Sequence, residues 1–157
     1  MSLEYLEESV TVSIPGRPVG KGRPRFGKGK VYTPEPTRNA ENTLQFYFRQ
    51  ACWVPLEGPL SLTVAFCFKY PRSWSKARRE AVEGGEEPWY MGKPDLDNLL
   101  KLVKDAGNGI LWRDDAQVVS IEADKVYSVE NQTIINVFSH VSLSLHGLYE
   151  RIARSAN

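Results

Sequence analysis

Two aspartates flank a single leucine in the stretch KPDLDNLLK, residues 93–101, and a lysine lies one helical turn further on. If the chain enters this segment extended, as Pro94 favours for the residue before it, Asp95 and Asp97 lie on the same side of the backbone. Lys101 follows Asp97 by four residues, which places both on one face of a helix. The spacing therefore predicts two converging carboxylates with a cation beside them.

A second acidic pair, Asp114 and Asp115, precedes an apolar stretch in LWRDDAQVV. The Gly-Asn-Gly turn at residues 107–109 allows the chain to reverse, which would bring this pair toward the first one. Clustered carboxylates repel one another unless a cation compensates, and hard divalent cations prefer oxygen ligands. We therefore expect a magnesium site, where a water is activated to attack a phosphodiester.

A purely structural interpretation of the same residues stays open. Asp97 would occupy the capping position of the helix and form an exposed ion pair with Lys101, while Asp114 and Asp115 would be turn residues. Spacing alone does not separate this interpretation from the metal site.

The stretch RPVGKGRPRFGKGK, residues 17–30, contains six cations and no acid: Arg17, Lys21, Arg23, Arg25, Lys28 and Lys30. Glycine and proline favour a flexible loop, and arginine forks match phosphate oxygens. The stretch is predicted to follow a phosphate backbone, with a solvated surface loop as the equal alternative.

Composition predicts one ordinary globular domain. The chain has 157 residues, 41% hydrophobic and 25% charged, with a net charge of +1. Because no apolar run is long enough for a membrane span and no signal peptide is recognisable, we expect a cytoplasmic protein. Cys52 and Cys67 are expected in the core, and His140 and His146 lack the spacing of a zinc site.

Apolar periodicity predicts the order of elements. Strands are expected at 9–16, 30–34, 58–71, 116–128 and 132–145, and helices at 36–52, after Ser73 or Ser75, and at 96–107. This order is typical of an α+β domain with a mixed sheet and helices packed mainly on one face. We expect a single domain over residues 1–157, with a surface excursion at 71–92 and a C-terminal tail helix at 146–157.

Three tryptophans, Trp74, Trp89 and Trp112, flank the charged segments. They would either stack on exposed bases or pack in the core or an interface, and packing is favoured for Trp112.

The stretch GKPDLDNLLKLVKDAGNGILWRDDAQVVSIEADKVY, residues 92–127, resembles the RusA family of Holliday junction resolvases, commonly encoded by prophages. The resemblance implies a homodimeric endonuclease that requires Mg²⁺, with Mn²⁺ as a substitute. Such an enzyme nicks four-way DNA junctions in pairs during recombination and repair, leaving ligatable ends.

The resemblance also implies roles for residues. Asp95, Asp97 and Asp115 match the essential, metal-binding aspartates, Lys101 matches the catalytic lysine, and Asp114 matches an acidic neighbour that is a further candidate ligand. Residues 17–30 become the phosphate-contacting arm, together with Lys93.

Two positions depart from the family pattern. Gly107 replaces a larger apolar residue, and Gly92 stands where a polar or basic residue is expected. Two other functions stay open: a non-catalytic module that binds branched DNA, and a nuclease that acts on flaps or forks.

Overall fold

The computed structural model describes residues 5–144, 149–150 and 152–154, and the side chains of residues 8–141 and of those two short segments. Between Tyr5 and Ser144 the chain forms six strands, three α-helices and one 3-10 helix. In chain order they are β1 (Tyr5–Pro15), β2 (Arg25–Gly27), β3 (Lys30–Tyr32), α1 (Glu35–Ala51), β4 (Leu60–Lys69), α2 (Lys76–Glu83), α3 (Leu96–Gly107), the 3-10 helix (Asp115–Gln117), β5 (Val118–Ser128) and β6 (Gln132–Ser144).

The main sheet is mixed and has the strand order β1-β6-β4-β5. Strand β4 lies inside the sheet, parallel to β5 and antiparallel to β6. Its alternate residues are buried on one face and form the centre of the core: Leu60, Leu62, Val64, Phe66 and Phe68. Helices α1 and α3 pack against each other and contribute to the same core. The predicted α+β class, with helices mainly on one face of a mixed sheet, is confirmed.

The opposite face of the sheet is polar at its centre. Thr63 of β4 is exposed, and its register partners Glu122 of β5 and Asn136 of β6 are exposed as well. Because side chains alternate between the faces, these residues point away from α1 and α3. Asp124 shares this face, since it is paired with Ala65.

The excursion at 71–92 ends by covering the free edge of β5. Tyr90 donates its backbone N–H to the carbonyl of Lys125 at 2.9 Å, and Tyr127 donates to the carbonyl of Pro88 at 2.7 Å. Earlier in the excursion, Ser75 caps the N-terminus of α2. Its Oγ accepts the N–H of Arg78 at 3.2 Å. The excursion therefore returns the chain, alongside β5, to the start of the acidic motif.

The predictions for the loop 17–30 and for the N-cap of α3 need correction, and part of the predicted tail helix falls on residues that the structure does not describe. The predicted loop 17–30 contains β2 and the first residue of β3, which pair as a separate two-stranded sheet. The N-cap of α3 is Asp95, not Asp97. Of the predicted tail helix, residues 149–150 and 152–154 are helical, and the rest of 146–157, including His146, lies outside the described residues.

The expected core cysteines are confirmed, since Cys52 and Cys67 are both buried. No described helix is long and apolar enough to cross a membrane.

Gly107 is the last residue of α3, and the space beside it is filled by Trp112. A Cβ at residue 107 would lie 2.4 Å from Cζ2 of the Trp112 ring, which is fully buried. The indole Nε1 donates to Oδ1 of Asn108 at 3.0 Å and fixes the ring in place. Glycine at 107, the departure from the family pattern, leaves the volume that the indole of Trp112 occupies. Helix α3 still ends at the predicted residue.

We expect Gly107→Ala to lower the free energy of unfolding by about 1–3 kcal/mol, because the added methyl group overpacks the contact with Trp112. Urea denaturation measures the loss. Trp112→Phe, which replaces the two-ring indole by a smaller single ring, should recover part of it in the double variant, so the two changes would cost less together than their sum. Wild-type stability in Gly107→Ala would contradict this packing account.

Candidate active site and DNA-binding surface

Helix α3 carries the central residues of the candidate site on its polar face. Its apolar face is buried through Leu99, Leu102, Val103 and Ala106, so Asp97 and Lys101 point outward and are exposed. Neither side chain forms a hydrogen bond or ion pair with any residue that the structure describes. The exposed ion pair between them, which was the structural alternative, is not formed.

Asp95 lies at the N-terminus of α3 beside a lysine. Its backbone is extended, with φ −69° and ψ 147°, and its side chain forms no capping hydrogen bond. Nζ of Lys93 donates to Oδ1 of Asp95 at 2.5 Å. This hydrogen bond holds the pKa of Asp95 below its usual value, and the positive charges of Lys93 and Lys125 act in the same direction.

Asp114 is the N-cap residue of the 3-10 helix. Its Oδ1 accepts the N–H of Ala116 at 2.8 Å, and Oε1 of Gln117 accepts the N–H of Asp114 at 3.2 Å, which together form a capping box. Nε2 of Gln117 donates to the carbonyl oxygens of Leu56 and Gly58, each at 3.1 Å. The turn that presents Asp115 is therefore tied to the loop before β4.

Asp115 is held toward the polar face of α3 by a lysine that the sequence analysis did not single out. Nζ of Lys104 lies 3.5 Å from Oδ2 of Asp115. Lys104 follows Asp97 by seven residues and Lys101 by three, so all three belong to one face of the helix. The helix periodicity was the available signal for Lys104, but only the tertiary structure shows which carboxylate it meets.

The described residues contain no group of three or more His, Cys, Asp or Glu side chains close enough to hold a metal ion. The predicted three-carboxylate cluster is therefore not assembled by the protein alone. Mg²⁺, however, is commonly bound through one or two carboxylates, with waters and a substrate phosphate completing its octahedron. Asp97, which has no partner within the described part of the chain, offers the hard oxygen donors that such a metal prefers, and Asp115 offers the same donor type while it pairs with Lys104.

The segment that leads into Asp95 is anchored by Tyr90. Its ring stacks on Phe68 with centroids 3.9 Å apart, and its hydroxyl donates to the carbonyl of Lys93 at 3.2 Å. The same hydroxyl accepts a hydrogen bond from Nη2 of Arg17 at 2.8 Å. Nζ of Lys125 donates to the carbonyl of Gly92. Sequence reasoning left Tyr90 unassigned because no periodicity connects it to Phe68.

The basic stretch divides into a docked part and an exposed part. Arg17 is engaged with Tyr90, and Lys21 pairs with Asp105 of α3 and lies 3.8 Å from Glu41 of α1. The remaining four cations are exposed and form no ion pair with the described residues: Arg23, Arg25, Lys28 and Lys30. A role of Arg17, Lys21 and Lys93 in DNA binding stays a prediction.

The docked part is positioned against both helices. The backbone N–H of Lys21 donates to the carbonyl of Asn98 at 2.9 Å, and that of Gly22 donates to Oγ1 of Thr37 at 3.0 Å. A Cβ at Gly20 would lie 2.9 Å from Cβ of Pro94, so only glycine allows this close approach. The basic stretch is thus fixed next to the acidic motif.

Lys21→Met is expected to lower the free energy of unfolding by about 1–2 kcal/mol, because it leaves the half-buried Asp105 without its cation. Thermal unfolding measures the loss. Asp105→Asn is the matched variant, since it removes the same ion pair and retains the lysine. If Lys21 mainly contacts phosphate, Lys21→Met would weaken DNA binding at unchanged stability, and this result would contradict the anchoring role.

The structure shows the surroundings of the three tryptophans and of His140, to which the sequence assigned no definite role. Trp112 is fully buried, so its predicted packing role is confirmed. The guanidinium of Arg78 lies 3.7 Å from the ring centroid of Trp74, which also packs on Tyr127. Trp89 is exposed. Nε2 of His140 lies 2.7 Å from Oγ of Ser61, within hydrogen-bond distance.

The fold and the site together define a class of protein: a small α+β domain that carries carboxylates and lysines on one helix face beside an exposed basic hairpin, as an enzyme acting on nucleic acid requires. Residues 15–138 match the family described as endodeoxyribonuclease RusA. The chain therefore belongs to the RusA endodeoxyribonuclease family, which the sequence motif predicted.

Two relatives support the assignment. The chain is 33% identical over 137 residues to the uncharacterised protein YqaN of Bacillus subtilis strain 168, a match that covers 78% of this chain and 91% of that protein. It is 32% identical over 85 residues to the crossover junction endodeoxyribonuclease rusA of Lactococcus phage r1t, covering 54% of each chain.

Proposed function

We propose that this endodeoxyribonuclease resolves four-way DNA junctions by Mg²⁺-dependent, paired hydrolysis of opposed strands. The observation that carries the proposal is the polar face of α3, where Asp97 and Lys101 are exposed without partners among the described residues, next to a basic hairpin that is also unpaired. Membership of the family and the name of the phage relative, a crossover junction endodeoxyribonuclease, support the choice of substrate.

The residues of the chain take separate roles in this proposal. Asp97 and Asp115 would hold Mg²⁺, with Asp95 as a further ligand when Lys93 releases it. Mg²⁺ held there would supply water activation and charge neutralisation at the attacked phosphate. Lys101, one turn from Asp97, donates to a non-bridging oxygen of that phosphate. Asp114 supports the turn that presents Asp115, through its cap on Ala116.

The proposed assembly is a homodimer that acts in the cytoplasm during recombination and repair. A four-way junction has approximate two-fold symmetry, so a two-fold dimer presents one active site to each of two opposed strands. Each protomer then cuts once. The exposed cations of the hairpin, Arg23, Arg25, Lys28 and Lys30, contact the phosphates next to the cut.

The proposal is tested with a panel of labelled DNAs at fixed salt: a four-way junction, a fork, a flap and a linear duplex. Fixed salt is needed because phosphate contacts make DNA affinity strongly salt-dependent. The expected result is cleavage of the junction in Mg²⁺ or Mn²⁺ and none in chelator. Faster cleavage of flaps or forks would assign a different substrate, and junction binding without cleavage would favour a non-catalytic module.

A further inference from the structure

The hairpin formed by β2 and β3 has two different faces. Phe26 pairs directly with Val31, and the neighbouring pairs are Arg25 with Tyr32 and Gly27 with Lys30. Because side chains alternate along a strand, Phe26 and Val31 share one face, and the cations belong to the other face and the tip. The turn is tight, with positive φ at both Lys28 (50°) and Gly29 (75°), as in a type I′ hairpin.

The apolar face of this hairpin is open to solvent. Phe26 is 77% exposed and Val31 is 69% exposed, although they lie opposite each other and form a continuous apolar surface. Neither belongs to the hydrophobic core or packs against it. A two-stranded hairpin gains little stability alone, so an outward-facing Phe-Val pair contributes most when a partner covers it.

The charge of the segment identifies the chemistry of that partner. Residues 17–34 contain no acid, and the four exposed cations flank Phe26 and Val31 in the sequence. Protein surfaces that bind apolar side chains do not require such a charge, whereas DNA offers phosphates around stacked bases. A two-stranded ribbon also fits the major groove, and inserted apolar side chains separate base steps.

The chain on both sides of the hairpin is anchored near α3. On its N-terminal side Lys21 bonds to Asn98 and Asp105, and on its C-terminal side the chain enters α1 at Glu35, which packs against α3. The hairpin is therefore tethered next to the helix that carries Asp97 and Lys101.

We propose that Phe26 and Val31 form an apolar wedge that inserts between bases at the branch point of the DNA, while Arg25, Lys28 and Lys30 contact the flanking phosphates. This inference rests on the proposed function and adds how the substrate is recognised. Base pairs at the crossover stack on those of another arm without a continuous backbone in both strands, so separating them costs less there than within a duplex. The wedge thereby favours branched over linear DNA.

The test uses a four-way junction with the fluorescent base 2-aminopurine beside the crossover and protein carrying Asp97→Asn, so that binding is observed without cutting. The wedge predicts a several-fold rise in fluorescence on binding. Phe26→Ala with Val31→Ala should remove the rise and weaken binding about tenfold while the salt dependence is retained. Phe46→Ala, which removes another exposed phenylalanine on α1, should change neither.

A second pair of changes separates the two faces of the hairpin. Lys28→Ala with Lys30→Ala should keep the rise at saturating protein, while the slope of log affinity against log salt falls by about 2, because each lost phosphate contact lowers it by about 0.9. The proposal is overturned if the Phe26 and Val31 variant, still folded by circular dichroism, gives the wild-type rise and affinity. Wild-type cleavage in that case would leave the proposed function intact and remove the wedge alone.

Discussion

Asp97→Asn is expected to reduce junction cleavage by about a thousandfold and to leave junction binding unchanged. The Asp97 carboxylate is exposed and has no partner within the described residues, so it is free to hold a cation. An amide is a neutral and weaker ligand for Mg²⁺, and the loss of metal removes both water activation and charge neutralisation. Single-turnover cleavage and gel-shift titration of the same junction measure the two quantities.

The structure supplies a matched control for this prediction. Asp124→Asn makes the same chemical change on the face of the sheet opposite to α3, and it should cut at the wild-type rate. Because Asp97 forms no hydrogen bond with a described residue, its variant should also unfold at the wild-type temperature. Full metal-dependent cleavage by Asp97→Asn would defeat the assignment of α3 as the catalytic helix.

Lys101→Met is expected to lower the cleavage rate by about 10²–10³-fold with little change in junction affinity. The lysine lies one turn from Asp97 on the same exposed face and makes no ion pair within the described part of the chain. A donor aimed at charge that develops in the transition state contributes about this much when the site excludes water. Pre-steady-state cleavage of a saturated junction separates this loss from weaker binding.

Lys76→Met controls for the loss of one positive charge, since Lys76 is an exposed residue of α2 that pairs with Glu80 of the same helix. The control should cut normally. If Lys101→Met instead weakened binding and left the rate at saturation unchanged, Lys101 would be a phosphate contact and not a catalytic residue.

Local pattern was sufficient to predict the elements that carry the site. The leucine and valine spacing of α3 gave its bounds of 96–107, and alternation gave the central strand β4. These features depend on short-range periodicity and on burial of a single face, and both can be recognised from residues that are close together in the sequence. The acidic motif also gave the family, which the match over residues 15–138 confirms.

Contacts between distant segments were not predictable in the same way. Lys104 meets Asp115, Lys21 meets Asp105, and Tyr90 links Arg17 to the carbonyl of Lys93. Each of these contacts depends on how elements pack after folding, and a lysine alone does not reveal which carboxylate it will neutralise. For this reason the basic stretch was predicted as one arm, whereas the structure divides it into anchored and exposed cations.

The predicted N-cap of α3 was also wrong, again because a contact made in the folded structure was not visible in the sequence. Asp97 and Asp95 are both good N-cap residues by type, and the pattern placed the cap at Asp97. In the structure Asp95 takes the N-cap position, while its carboxylate bonds to Lys93 and not to the helix. This shift leaves Asp97 inside the first turn, where its carboxylate points to solvent.

The central claim, paired cutting of a junction by this helix, is tested most directly by mapping nicks at nucleotide resolution. Each strand of a synthetic four-way junction is labelled in turn and incubated with the protein in Mg²⁺, and then in chelator. The account predicts nicks at symmetric positions near the crossover in two opposed strands, in Mg²⁺ alone. Binding of the junction without nicks in Mg²⁺, or nicks that persist in chelator, would contradict it.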